Sequence, residues 1–458
     1  MRRLRVLLTV LAAFAAATAT AAAGETPAPR PAAFDAGPAA PSSDPFAVWN
    51  GVTQTFPAPA AQNAHAESAE FAGGASSPSE PAPSERGLPS EARLGEYSVR
   101  DGAANHPAPA PTLSLVNEFV LPDDAPEGLS GIAWRGAEGL AAWDDLYALV
   151  EDSGGRLHAA TIGIDRRTGA ITNATFSPAG AIPGAADLEG VAAGRVPVPD
   201  DPARAAPMVF ASDERGPAVW AEPSFDTSGP DWTALPLPEP LRHCRFNRAL
   251  ESLALSADGR ILWTANEGPL PEDGPEPTAA RGGLVRLHAL DAVRLLGEDP
   301  DASLASAPGR PSAADAPWWF YPLDPAAGVS FRPLPDPFNG LAELCALPDG
   351  RLLALERSYG FVPRPEGGES SGSLITISIY LIDPLHSERG EPVRPPVLAK
   401  TLLWRGLTGR ANYEGMTLGP ELDNGSRALL LVSDGDVTRK GAFAFPWAKR
   451  LLALRLRL

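Results

Sequence analysis

The sequence predicts an all-β fold, a β-propeller of five four-stranded blades whose ring is closed by a strand from the N-terminal side. Two observations predict it. From residue 112 onward one unit recurs five times: a carboxylate, a short apolar strand, a turn, and a second strand that ends in another carboxylate. Between the copies lie short β-rich runs punctuated by Gly, Pro, Asp and Asn, with no long stretch of helical period, which argues against alternating βαβ units.

Residues 1–23 have the form of a secretory signal. Arg2, Arg3 and Arg5 make a basic start, Val6 to Thr20 an apolar middle, and Ala21 to Ala23 a small-residue cleavage site. No later apolar run approaches the ~20 residues a spanning helix needs, so no membrane span is expected once the signal is cleaved. The chain is therefore expected to be exported, to the periplasm or the medium. Residues 24–111 are dominated by Ala, Pro, Ser, Gly and Glu, with sparse large apolar residues. Such a segment buries too little surface to offset its ordering entropy and reads as a disordered linker. Residues 112–458 are the propeller.

The net charge is −18, from 56 Asp plus Glu against 38 Lys plus Arg. That balance repels nucleic acid and anionic lipid, and no basic patch offsets it. Cys244 and Cys345 are the two cysteines, too few for a disulfide scaffold or a thiolate zinc site. Export favours their pairing; the sequence leaves the question open.

The copies read as follows. The first runs from Glu127 to Glu151-Asp152, the second from Asp187-Leu-Glu189 to Asp213-Glu214, and the third from Glu251 to Glu267. The fourth runs from Glu343 to Glu356, and the fifth from Glu414 to Asp434. Opening glutamates at 127, 189, 251, 343 and 414 are 62, 62, 92 and 71 residues apart, room for four strands and loops. The longest gap holds Pro-rich and Ala/Ser-rich insertions, so it is one blade rather than two, although six blades would follow if one copy were divergent. The fifth copy ends with the chain and lacks a fourth strand, which Leu113 to Val120 can supply; such closure leaves no long open edge.

In a propeller the first strand of each blade lines the channel and the second runs antiparallel beside it. A residue opening the first should lie beside one closing the second, so Glu251 is expected near Glu267, Glu343 near Glu356, and Glu414 near Asp434. One rim of the channel then gathers Glu189, Glu251, Glu267, Glu343, Glu356, Glu414 and Asp434. Like charges at ~4 Å repel by several kcal/mol at intermediate dielectric, so such a ring calls for a cation, arginine partners or protonation. Oxygen-only ligands on an acidic exported chain point to Ca2+. Asn339, with an amide oxygen four residues before Glu343, joins the expected ligands. Arg248, Arg357 and Arg215 adjoin the rim, where they could balance carboxylates or hold an anionic group of a substrate. His243 is the histidine best placed for acid–base work. No nucleophile elbow, His-Glu-x-x-His, Walker loop or dinucleotide fingerprint occurs.

Several of these segments carry a family resemblance. Gly128-Leu-Ser-Gly-Ile-Ala-Trp134, Asp187-Leu-Glu-Gly190, Asn247-Arg-Ala-Leu-Glu-Ser-Leu-Ala-Leu-Ser256 and Glu267-Gly-Pro-Leu270 are followed in order by Asn339-Gly-Leu-Ala-Glu343, Leu355-Glu-Arg357 and Tyr413-Glu-Gly-Met-Thr-Leu-Gly419. Together they resemble the phytase-like family, also called "esterase-like activity of phytase". Members usually have Gly where this chain has Ala249 and Ser252. The resemblance implies an exported propeller that hydrolyses phosphate or carboxylic esters.

Two functions are therefore expected to compete. One is a Ca2+-dependent hydrolase of a small ester or phosphate, with Glu251, Glu343 and Glu414, helped by His243, as catalytic groups; a lactonase would differ only in substrate. The other is a non-catalytic propeller that binds a ligand or protein in the cell envelope. Either is expected to act as a monomer.

Overall fold

The computed structural model describes residues 110–458, apart from 136–145, 178–179, 199–200, 223–231, 298–315, 329–335, 362–372, 388–395, 409–410, 436, 441–442 and 447. The expected signal, 1–23, lies outside the described residues, as does the linker up to 109. No helix among the described residues is long and apolar enough to cross a membrane.

Five four-stranded antiparallel blades make the fold. The chain starts with β1 (Thr112–Val120), which is reserved for the last blade. Blade I is β2 (Leu129–Trp134), β3 (Leu146–Glu151), β4 (Arg156–Ile164) and β5 (Ile171–Phe176), with the two-residue β6 (Gly180–Ala181) also on β4. Blade II is β7 (Leu188–Val198), β8 (Asp201–Asp213), β9 (Ala218–Glu222) and β10 (Thr233–Leu235). Blade III is β11 (Leu250–Leu255), β12 (Ile261–Asn266), β13 (Gly283–Asp291) and β14 (Trp318–Leu323). Blade IV is β15 (Phe338–Ala346), β16 (Leu352–Phe361), β17 (Ser373–Ile382) and β18 (Lys400–Leu407). Blade V begins with β19 (Asn412–Glu421) and β20 (Arg427–Asp434). A hairpin, β21 (Val437–Lys440) and β22 (Phe443–Pro446), precedes β23 (Arg450–Arg457).

The ring closes as the sequence requires. β1 pairs antiparallel with β23, matching Leu113 to Leu456 and Leu115 to Leu454, so the two ends of the propeller chain share one sheet. In blades III, IV and V the turn between first and second strands uses the residues expected there: Gly259, Gly350 and Gly425 all have positive φ, a region that costs a glycine little.

The apolar core is divided into wedges rather than gathered on an axis. Ile377 and Ile379 of blade IV pack with Leu429 and Leu454 of blade V, and Tyr147 and Leu149 of blade I with Leu430 and Ala453 of blade V. Equivalent clusters join blades III and IV, II and III, and I and II. Each fully buried Leu or Ile contributes ~1.5–3 kcal/mol, so face-to-face blade contacts carry most of the stability.

The five first strands pack side by side around the centre, in the order β2, β7, β11, β15, β19 and back to β2. Glycine allows the closest of these approaches. A Cβ on Gly131 would lie 2.5 Å from the Glu189 carbonyl oxygen, and one on Gly415 2.6 Å from the Ser130 carbonyl oxygen. Both neighbours are backbone and cannot turn aside. Inner strands this close bring whatever side chains they carry at the rim into one narrow space.

Candidate functional site

A β-bulge at the same place in every blade decides which side chains reach the rim. Pairing between the first and second strands slips after Leu129, Leu188, Leu250, Leu341 and Tyr413. The residues on the slip are Ser130, Glu189, Glu251, Ala342 and Glu414. A bulged residue leaves the alternation of its strand and is re-aimed, a device common beside functional sites.

The residues just before the slips pair with Glu151, Asp213, Asn266, Glu356 and Ser433 on the second strands. One residue further along lie Asp152, Glu214, Glu267, Arg357 and Asp434. Four blades thus bring an acid to this second position, and blade IV brings a guanidinium. Amides anchor the row: Glu214 N–H donates to the Asp187 carbonyl at 2.8 Å, and Glu267 N–H to the Ala249 carbonyl at 2.7 Å.

Arg357 occupies the middle of the carboxylates. Its Nη2 is 2.5 Å from Glu267 Oε1, and its Nη1 is 3.0 Å from Glu414 Oε1 and 3.3 Å from Asn412 Oδ1. Burial opposes its charge, yet Glu414, Glu267, Glu251 and Glu189 outweigh burial and raise its affinity for the proton. Arg248 reaches Glu267 Oε2 at 3.1 Å and Glu276 at 3.2 Å, and its guanidinium lies over the Phe338 ring.

Two carboxylates stand apart from this arrangement. Glu189 and Glu251 are 9 % and 5 % exposed, and among the described residues neither accepts a hydrogen bond or forms an ion pair. Burial pushes both well above the usual carboxylate range; Glu414, Glu214, Asp187 and Asp152 push Glu189 further, and Glu189, Glu267 and Glu214 do the same to Glu251. Burial likewise raises Glu214 to about 7, against the pull of the Ala249 N–H that its Oε1 accepts at 2.9 Å. Glu414 is raised to about 8, mainly by burial, with Arg357 opposing and Asp434 and Asp152 reinforcing. Its Oε1 accepts a hydrogen bond from Asn412 Nδ2 at 2.8 Å.

Carboxylate oxygens converge in two sets. One oxygen each from Asp187, Glu189 and Glu214 lie within 4.8 Å of one another, as do one each from Glu214, Glu251 and Glu267. That spacing suits a hard cation bound at the 2.3–2.6 Å typical of Ca2+–oxygen distances. The donors are all carboxylates, which disfavours zinc and copper.

Of the residues expected at the rim, the structure gathers Glu189, Glu251, Glu267, Glu414, Asp434, Arg248 and Arg357. It places four elsewhere. Glu343 lies one residue past the slip that holds Ala342, and a one-residue step turns a strand side chain to the other face. Its carboxylate accepts the Leu253 and Leu344 amides, each at 2.9 Å, tying blade III to blade IV inside the propeller. Burial, its largest influence, raises it well above the ordinary range despite those bonds. Glu356 does not meet Glu343, whose strand partner is Leu355. It lies in a buried network between blades III and IV, where it accepts hydrogen bonds from Lys400 at 2.5 Å, Tyr321 at 2.7 Å and Asn339 at 2.6 Å. Asn339 is thereby committed to Glu356 and to the Asp324 carbonyl. His243 is exposed after a 3₁₀ turn (Glu239–Arg242), with its Nε2 3.3 Å from Glu239. The two cysteines are free thiols, and burial pushes both up to about 12.

Sequence reading left Asp152, Asp187 and Glu214 out of the site, and of the two roles open to Arg357 the structure shows the balancing of carboxylates. The signal was present in the acidic pairs Glu151-Asp152 and Asp213-Glu214. Aligning the copies on the bulged residue, rather than on the first acid, would have selected the second member of each pair.

A family model described as "Phytase-like: Esterase-like activity of phytase" matches residues 125–437. No curated protein matches the chain. Among solved structures, a luciferin-regenerating enzyme aligns at 12 % identity over 76 % of this chain and 96 % of its own, with a TM-score of 0.30. A glucose dehydrogenase aligns at 15 % identity over 76 % and 99 %, with a TM-score of 0.32. Kuenenia stuttgartiensis hydrazine synthase aligns at 12 % over 70 % and 60 %, with a TM-score of 0.28. At such scores these likenesses carry no information on function.

Proposed function

The chain belongs to the phytase-like family, and on that premise we propose that it is an exported, Ca2+-dependent hydrolase that cleaves phosphate or carboxylic esters at the acidic rim. The observation that carries this reading is the pair Glu189 and Glu251: nine-tenths buried, without a hydrogen-bond donor among the described residues, and each among further carboxylates. Leaving a charged group buried and unpaired is expensive, so the rim fits a divalent cation better than it fits bare protein.

Bound there, Ca2+ would supply Lewis acidity toward a phosphoryl or carbonyl oxygen. The residues of the chain divide the remaining tasks. Asp187, Glu189, Glu214 and Glu251 supply hard oxygen ligands. Arg248, a quarter exposed, faces outward from Glu267 and is the guanidinium able to reach an anionic substrate group. Glu414 lies outside both oxygen sets and, held by Asn412 and Arg357, is the carboxylate left to move a proton. Export rests on the form of residues 1–23, and a monomer on the closed ring.

The test combines thermal melting with hydrolysis of aryl phosphates and aryl esters, each with Ca2+ and with a chelator. Ca2+ should raise the melting temperature and be required for turnover. Glu189→Gln and Glu251→Gln combined in one chain should lose both responses, whereas Glu414→Gln should lose turnover and keep the Ca2+-dependent stabilisation. Stability and turnover that both ignore Ca2+ would falsify the proposal. Stabilisation without turnover on either substrate class would instead mark a ligand-binding propeller.

A further inference from the structure

We propose that the rim holds two divalent cations side by side, one in Asp187–Glu189–Glu214 and one in Glu214–Glu251–Glu267, with the Glu214 carboxylate shared between them. The inference deepens the proposed function and rests on its reading of the rim as a cation site.

The two unpartnered glutamates require it. Arg357 acts on Glu189 and Glu251 from a distance while touching Glu267 and Glu414, so each of the two lacks a positive partner in contact, and among the described residues the two oxygen sets overlap only at Glu214. A single ion in either set therefore leaves the other glutamate buried and bare. Two ions satisfy both. Glu214 has the capacity to bridge: Oε1 spends one lone pair on the Ala249 N–H, and a carboxylate offers about four acceptor positions. Bridged cations lie ~3.5–4 Å apart in such pairs, a distance one carboxylate can span.

Charge counting points the same way. Nine carboxylates influence one another at the rim: Asp152, Asp187, Glu189, Asp213, Glu214, Glu251, Glu267, Glu414 and Asp434. Against them stand Arg215, Arg248 and Arg357. One divalent ion leaves a marked excess of negative charge, and two remove most of it. Position matters as well. Arg357 already serves Glu267 and Glu414, which fills the blade IV and V side of the ring and confines the ions to the side of blades II and III. Both Glu267 oxygens accept from guanidiniums, so the ion using Glu267 should bind more weakly than its neighbour.

Calcium stoichiometry of the full chain, measured by equilibrium dialysis with metal analysis, tests the proposal without reference to turnover. The wild type should bind two ions in two steps of different affinity. Glu189→Gln and Glu251→Gln should each keep one ion, the former losing the tighter step. Glu214→Gln should weaken both steps at least tenfold. Each variant removes a repulsive charge and keeps its shape, so melting in chelator checks that it folds. With Mn2+ in place of Ca2+, electron paramagnetic resonance should show an exchange-coupled pair in the wild type and an isolated ion in Glu251→Gln. One ion per wild-type chain, or loss of the same single ion in both glutamate variants, overturns the pair and leaves a one-cation rim standing. No bound ion at all overturns both readings.

Discussion

Replacing Arg357 by Met should weaken the metal-free propeller strongly at high pH and mildly at low pH. Met keeps much of the side-chain volume but removes the guanidinium from Glu267 and Glu414. Breaking one side of a buried ion pair typically costs ~3–5 kcal/mol, because the other side is left charged and bare. Glu267 keeps Arg248 at 3.1 Å, so most of the loss falls on Glu414. That carboxyl titrates at about 8 with Arg357 present, and losing the arginine can only raise it further. At pH 9, one unit above that value, wild-type Glu414 is largely ionised beside its arginine while the variant keeps its proton, which adds ~1.4 kcal/mol to the cost of the lost hydrogen bonds. At pH 6 Glu414 is protonated in both proteins, and the cost should shrink to the lost hydrogen bonds, ~1–2 kcal/mol. At ~2.1 cal/mol/K per residue, a propeller of roughly 350 residues unfolds with ~0.7 kcal/mol/K, so the deficit corresponds to ~3–5 °C at pH 9 and ~1–3 °C at pH 6. Differential scanning calorimetry in chelator at the two pH values measures it. Equal destabilisation at both values, or none at pH 9, would refute the role assigned to Arg357.

Other outcomes follow from the same contacts. In chelator the wild type should lose stability as pH rises from about 4.5 to about 8: the native state holds protons on Glu214 and Glu414 that the unfolded chain has released, with Glu214 alone worth up to ~3 kcal/mol. Saturating Ca2+ should flatten or reverse that slope, which melting curves across pH would show. Gly415→Ala should lower the melting temperature with or without Ca2+, since its Cβ would press on the Ser130 carbonyl at 2.6 Å; overpacking of this kind costs ~1–3 kcal/mol. Lys400→Met should destabilise by ~3–5 kcal/mol, because Lys400 holds Glu356 at 2.5 Å and Asp324 at 2.7 Å in a nearly closed interior. Adding Glu356→Gln to it should recover part of that loss in denaturant titrations, and unchanged Ca2+ binding would confirm that Glu356 lies apart from the rim.

Much of this architecture is written locally. Five copies of strand, Gly turn and strand are visible because a two-residue period and a positive-φ glycine leave marks on neighbouring positions. The missing fourth strand of the last copy was legible too, since Leu113 to Val120 was an unclaimed strand and a ring needs an even account of edges. The rim acids of blades II, III and V were found because Glu189, Glu251 and Glu414 open their copies and stand on the bulge themselves. Blade IV misled for a physical reason. Its first glutamate, Glu343, is one residue late, and sequence alone does not show where pairing slips.

By itself, then, the sequence determined the blade count, the strand pattern, the acidity of one rim and the means of closure, all consequences of short-range alternation and turn chemistry. Only the tertiary structure decided which acids share that rim. A bulge moves a side chain from one face to another at no cost visible in composition, and five inner strands brought within backbone contact set Arg357 among carboxylates from three other blades. The same packing turned Glu356 toward Lys400 and Asn339 toward Glu356, and left Glu189 and Glu251 with no contacting partner among the described residues. Burial, which no single position encodes, is what makes those two carboxylates candidates for a cation rather than ordinary solvated acids.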